Sequence, residues 1–120
     1  MDIRIFHLIG QMSENLSHQW TVEELAKLAD VSVPHLQRLF KSETRTSPIK
    51  YLHNLRLDRA RELLEVEDKY FRINEICYEV GMHNKSYFTG DFKTKFRATP
   101  TEYRKQYWEK VLACRHNGQK

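Results

Sequence analysis

Glycine and proline are scarce in this chain, four and three among 120 residues. Strict apolar–polar alternation is absent as well, so nothing signals a strand-and-turn architecture. Cysteine occurs only as Cys77 and Cys114, which form neither a zinc-ligand pair nor a disulfide framework. A pair of this kind suits a reducing, cytosolic compartment. No stretch approaches the ~20 apolar residues that span a bilayer. The first ten residues include Asp2 and lack both a long apolar run and a small-residue cleavage site. A cytoplasmic protein with no membrane partner is therefore expected. The six histidines offer no pair at ligand spacing on one helix face, so no metal site is assigned. No nucleophile–base constellation or phosphate loop is visible, so an enzyme and a cofactor are not expected. The paired carboxylates Glu23 and Glu24 are accounted for by helix capping.

What is present is helical periodicity and positive charge. The net charge is +4, unevenly spread: residues 1–66 carry nine basic and nine acidic side chains, and residues 67–120 eleven and seven. Between positions 84 and 97, Lys85, Lys93, Lys95 and Arg97 stand against Asp91 alone. Clustered positive charge suits a polyanion, although a solvated basic face has the same composition.

Seven helices follow from apolar residues at 3.6-residue spacing. Helix 1 covers 2–16, with Ile5, Leu8, Ile9, Met12 and Leu16 inward. Thr21 and Glu24 form a capping box for helix 2 (22–29), with Leu25, Ala26, Leu28 and Ala29 inward and Trp20 stapled to Leu25. Ser32 caps helix 3 (33–44), in which Leu36, Leu39 and Phe40 face inward. Ser47-Pro48 opens helix 4, which runs to about Glu65, about 27 Å at 1.5 Å per residue, with Ile49, Leu52, Leu55, Ala60, Leu63 and Leu64 in its stripe. Residues 66–72 read as a loop. Helix 5 (73–80) turns Ile73, Ile76, Cys77 and Val80 inward and ends at Gly81. Asn84 caps helix 6 (85–96), with Phe88, Phe92 and Phe96 inward. Thr99-Pro100 opens helix 7, whose Tyr103, Tyr107, Trp108, Val111 and Leu112 are read as core. Residues 114–120 are expected to fray.

The chain repeats itself. Val22–Val31 aligns with Ile73–Met82 at an offset of 51, and Ser32 onward with Asn84 onward at 52, His83 being the extra residue. Each copy is a short helix, a tight turn, a second helix and a Ser/Thr-Pro helix start. That is the helix-turn-helix arrangement, whose second helix enters the major groove.

Residues in register across both copies carry a resemblance to a known family. They are Ala29-Asp30-Val31-Ser32 with Leu36, Arg38, Phe40 and Lys41, Ser47-Pro48 with Tyr51-Leu52, Arg56-Leu57 with Ala60, and Leu63-Leu64. The second copy adds Ile73, Glu75-Ile76, Val80-Gly81, Ser86-Tyr87-Phe88, Phe92-Lys93, and Thr99-Pro100 with Tyr103-Arg104. Over about residues 5–106 the chain resembles the AraC/XylS class of bacterial transcription regulators. The resemblance implies an all-α, homeodomain-like fold in which a long central helix joins two helix-turn-helix lobes. Lobe 1 would span about 2–46, the connecting helix 47–66 and lobe 2 about 70–113. It also implies double-stranded DNA as partner, two recognition helices in adjacent major grooves, recruitment of RNA polymerase as an activator, and association with the nucleoid. Many family members carry a separate sensing and dimerising domain, so this domain by itself is expected to be monomeric.

The residues assigned to DNA are Ser32, Pro34, His35, Gln37, Arg38, Lys41 and Arg45 in the first copy. In the second they are Asn84, Lys85, Ser86, Tyr87, Thr89, Lys93 and Arg97. Arg38 suits guanine O6/N7 and Gln37 adenine N6/N7. Pro34 offers apolar contact alone, and Lys41 and Arg45 suit phosphates. Gly90 takes the place of Arg38, so the second lobe is expected to read few bases and to hold phosphates through Lys85, Lys93 and Arg97. The resemblance implies glycine at 45 and 97. Arginine there leaves two readings, a recognition helix that simply runs on or a pair of phosphate clamps. Arg56 is read as an ion pair bridging the lobes. The competing class is a helical protein-interaction module without DNA binding. Its mark would be acidic or apolar groove faces on helices 3 and 6, which are not there.

Overall fold

A computed structural model describes residues 1–66 and 72–118, with side chains to residue 115. Among them there are seven helices and no strand: α1 (Ile3–Glu14), α2 (Val22–Leu28), α3 (Val33–Thr44), α4 (Pro48–Leu64), α5 (Ile73–Glu79), α6 (Lys85–Phe96) and α7 (Pro100–Gly118). The loop read from the sequence at 66–72 lies mostly outside the described residues. Helix α7 does not end near residue 113. No glycine or proline interrupts it before Gly118, so nothing in the chain stops the backbone ladder sooner.

The chain divides into two compact units, Met1–Arg56 and Leu57–Lys120. The division falls inside α4 rather than on either side of it, so the connecting helix is built into the cores. Leu52 is buried with the first, and Leu57, Ala60 and Leu64 with the second. Leu57 was not in the expected stripe, because a single 3.6-residue stripe describes a helix with one buried face, and this helix serves two cores in turn.

In the first unit, Ile5, Leu8, Met12, Leu25, Ala26, Ala29, Leu36, Phe40 and Leu52 form the core. Helices α1 and α2 both pack against α3. Leu28, expected inside, is exposed, as is Ile49. A seven-residue helix has one buried face, and Leu25, Ala26 and Ala29 already fill that of α2. Thr21 caps α2 by accepting from the Glu24 amide at 3.1 Å. The capping box is only half made: the Glu24 carboxylate lies instead against His18 Nε2, at 2.8 and 3.1 Å.

Arg56 does not bridge the lobes as an ion pair. Its Nε donates to the Leu16 carbonyl at 2.9 Å and its Nη2 to that of His18 at 2.8 Å. The chain leaving α1 presents carbonyls that no helix satisfies, and one planar guanidinium pairs with two of them. Burial depresses its pKa below the ordinary arginine value, so those two acceptors offset the cost of desolvating the charge. Arg56→Met keeps the stem and removes the donors. It should cost about 1–3 kcal/mol, the usual penalty for unmatched polar groups, read as a lower thermal midpoint in circular dichroism.

The second unit is built around Leu57, Ala60, Leu64, Ile76, Cys77, Val80, Met82, Phe88 and Phe92. Cys77 is buried, and its thiol donates to the Met82 carbonyl. Tyr103 stands edge-on to Phe92 and donates to Glu65 Oε1 at 2.6 Å. Burial and that hydrogen bond push its pKa up to about 12, so it stays a donor at any physiological pH. Tyr107 and Trp108 are half-buried rather than core, and Leu112 is exposed.

Candidate nucleic-acid interface

Both recognition helices are set by the same local chemistry. Ser32 Oγ accepts from the His35 amide at 3.2 Å and fixes the start of α3. Asn84 Oδ1 does the same for α6 through the Tyr87 amide at 2.9 Å. Each residue was assigned to DNA, and each is also a helix cap, which fixes where the face behind it begins. The turn ahead of the helix needs a left-handed residue in both copies, Asp30 (φ 55°) in the first and Gly81 (φ 81°) in the second. Buried Leu36 and Phe40 seat α3, and buried Phe88 and Phe92 seat α6.

On α3, Gln37, Arg38 and Lys41 are exposed and share an open groove with Arg45, Thr46, Ser47 and Lys50. Four of these seven lining residues are cations and none is acidic, so the groove concentrates positive potential. Ser32, Pro34 and His35 are not part of that lining. They sit at the start of α3, with Pro34 exposed and His35 half-buried. Thr46, Ser47 and Lys50 were missed from the sequence. The signal for Lys50 was available: it lies three residues past the Ser47 cap, on the first turn of a helix starting just beyond α3, and its amide donates to Ser47 Oγ at 3.3 Å.

On α6, Lys85, Ser86, Tyr87, Gly90 and Lys93 are exposed and Thr89 is half-buried. The matching positions differ in charge. Gln37 and Arg38 become Thr89 and Gly90, and Lys50 becomes Glu102. Lys95 is committed within its own unit, 2.9 Å from Asp58 Oδ1 and over the Phe96 ring.

Arg45 and Arg97 settle the question of how the recognition helices end. Neither helix runs on. Both arginines are left-handed caps, at φ 64° and 63°. Their amides donate to Lys41 O at 2.9 Å and Lys93 O at 2.7 Å. The reversal lets the next helix begin at Pro48 or Pro100, and both prolines are buried. A non-glycine residue in this conformation costs roughly 1–2 kcal/mol, part of which glycine's greater unfolded-state entropy would return. Arg45→Gly should therefore raise stability by about 0.5–1 kcal/mol in a denaturant melt, while removing one groove cation.

Among the described residues, no group of three histidine, cysteine or acidic side chains is placed to hold a metal ion, and no helix is long and apolar enough to cross a membrane.

A family model described as a helix-turn-helix domain matches residues 25–106. The chain is 35% identical over 103 residues to the RCS-specific HTH-type transcriptional activator RclR of Escherichia coli K12, covering 86% of this chain and 36% of that protein. It is 28% identical over 109 residues to the HTH-type transcriptional regulator MtrA of Neisseria gonorrhoeae, covering 91% of this chain and 36% of that one. The chain thus spans about a third of these relatives. Among solved structures, the DNA-binding domain of AdpA in complex with a target DNA matches with a TM-score of 0.83 at 27% identity, covering 89% of this chain and 95% of that one. A transcriptional regulator from Chromobacterium violaceum, described as having an AraC-type DNA-binding domain, matches with a TM-score of 0.78 at 30% identity, covering 88% and 92%.

Proposed function

The chain belongs to the AraC-type helix-turn-helix family, and on that premise we propose that it is the DNA-reading part of a promoter regulator, with α3 and α6 each entering a major groove. The observation that carries this is the groove at the end of α3: long donors on an exposed helix face, four cations and no lining carboxylate. Arg38 and Gln37 are the base readers, and Lys41, Arg45 and Lys50 hold phosphates. The second lobe anchors the backbone through Lys85, Lys93 and Arg97 and adds little base discrimination. Its anchoring is weaker than that of the first lobe, because Glu102 opposes the cations where Lys50 would support them. Recruitment of RNA polymerase is part of the same proposal, supported by the relative RclR being described as a transcriptional activator. So is a cytoplasmic, nucleoid-associated location, which follows from DNA as the partner.

Fluorescence anisotropy with the purified chain tests the proposal. Affinity for a preferred duplex should exceed that for random duplex by about 10³-fold or more. Both affinities should fall linearly on a log–log salt plot, with a slope near −0.9 per neutralised phosphate. Equal affinity for all duplexes, or indifference to salt, would count against it.

A further inference from the structure

Resting on that DNA-binding reading, we propose that Gly90 is a close-approach point: the backbone of α6 at residue 90 lies directly against the DNA, and the missing side chain is what permits it.

Gly90 sits in the middle of a twelve-residue helix, where glycine weakens the helix relative to alanine. Nothing among the described residues demands it. Its φ is not in the left-handed region, which among the described glycines is occupied by Gly81, and an added Cβ would meet nothing within 4 Å beyond its own stretch of helix backbone. The usual reasons for a glycine, a positive φ or a crowded backbone, are both absent. What remains is crowding by something outside the chain. The position is the one that Arg38 takes in the first copy, on the exposed groove face. Of the residues around it, Ser86 and Thr89 are short, Tyr87 stands exposed one turn earlier and Asp91 is half-buried, while Lys85 begins the helix and Lys93 and Arg97 stand at its end. The face is lowest at Gly90, flanked by Ser86 and Thr89, with cations at both ends of the helix, which suits a helix whose backbone at residue 90 sits close between two phosphate rows. The Gly90 carbonyl, uncovered by any side chain of its own, already accepts from Thr94 Oγ1 at 3.0 Å. Its negative end is therefore engaged rather than bare toward the phosphates.

The second lobe thus contributes fit rather than readout. Any side chain at 90 lifts α6 away from the groove floor, including the arginine that would copy the first lobe.

Two variants and two controls test this on one duplex, the sequence that the native chain enriches from a random pool. Gly90→Ala should raise the thermal midpoint by a few degrees, yet weaken binding about tenfold through overpacking of the interface. Gly90→Arg should weaken it at least as much, despite its added charge. Gly10→Ala provides one control. Gly10 is also helical, exposed and open around its Cβ, so alanine there should stabilise the fold without changing affinity. Affinities are referred to the active fraction, found by titration to a stoichiometric end point. Native or tighter binding by either Gly90 variant overturns the proposal, as does an equal loss in Gly10→Ala. Arg38→Ala on the same duplex separates the two claims: if it also binds like the native chain, the DNA-reading assignment fails, and not the Gly90 inference alone.

Discussion

Alanine at position 38 should cost about 1–3 kcal/mol on the preferred duplex and much less on a random one. The reason lies in the geometry of the donor. A guanidinium presents two parallel N–H groups that match guanine O6 and N7, and no other base pair offers that edge. Arg38 is exposed on α3 and lines the cationic groove, while the buried Leu36 and Phe40 hold the helix beneath it. Lysine in its place keeps the charge but loses the planar fork, so Arg38→Lys should retain non-specific affinity and still lose discrimination. Lys93→Ala should weaken all duplexes alike. Competition titrations with single-base variants of the preferred site distinguish the two patterns.

Removing the ring of Phe40 should unfold much of the first unit. Phe40 is fully buried, edge-on to Tyr51 with ring centroids 5.8 Å apart, and in the same core as Leu36 and Leu52. A phenylalanine-to-alanine change in such a site costs about 3–5 kcal/mol. A unit of about sixty residues buries a smaller fraction of its surface than a larger domain does and stands near the low end of domain stability. Phe40→Ala should therefore lower its melting midpoint by well over 10 °C, and sequence discrimination should go with it because α3 loses its seat. Leu28→Ala, at an exposed position on α2, should change the midpoint little.

The helices were legible because capping and periodicity are local. Ser32, Asn84, Thr21 and Thr99 announce helix starts by side chain alone, and each makes the expected bond to the third residue on. Arg56 was misread because its partners, two carbonyls near residue 17, leave no trace in side-chain chemistry. A charged residue in an apolar stripe suggests another charge, although unsatisfied backbone is as good a partner. Glu24 was half right for a related reason: the capping box is a local rule, and His18 competes for the same carboxylate. The caps at Arg45 and Arg97 went against propensity. Left-handed arginine is unfavourable in isolation, but a buried proline three residues later leaves the chain little length in which to turn. Of the groove, the α3 side was readable from one helical face. Lys50 lies off that face and joins through the start of a different helix, so its only sequence signal is its place three residues past the Ser47 cap.

The two copies are proposed to be unequal, with α3 reading bases and α6 fitting the groove. Selection from a pool of random duplexes with the purified native chain measures this directly. The expected consensus has two parts, one rich in information and carrying a guanine matched to Arg38, the other nearly blank. Two equally informative halves, or no enrichment at any salt concentration, would contradict it.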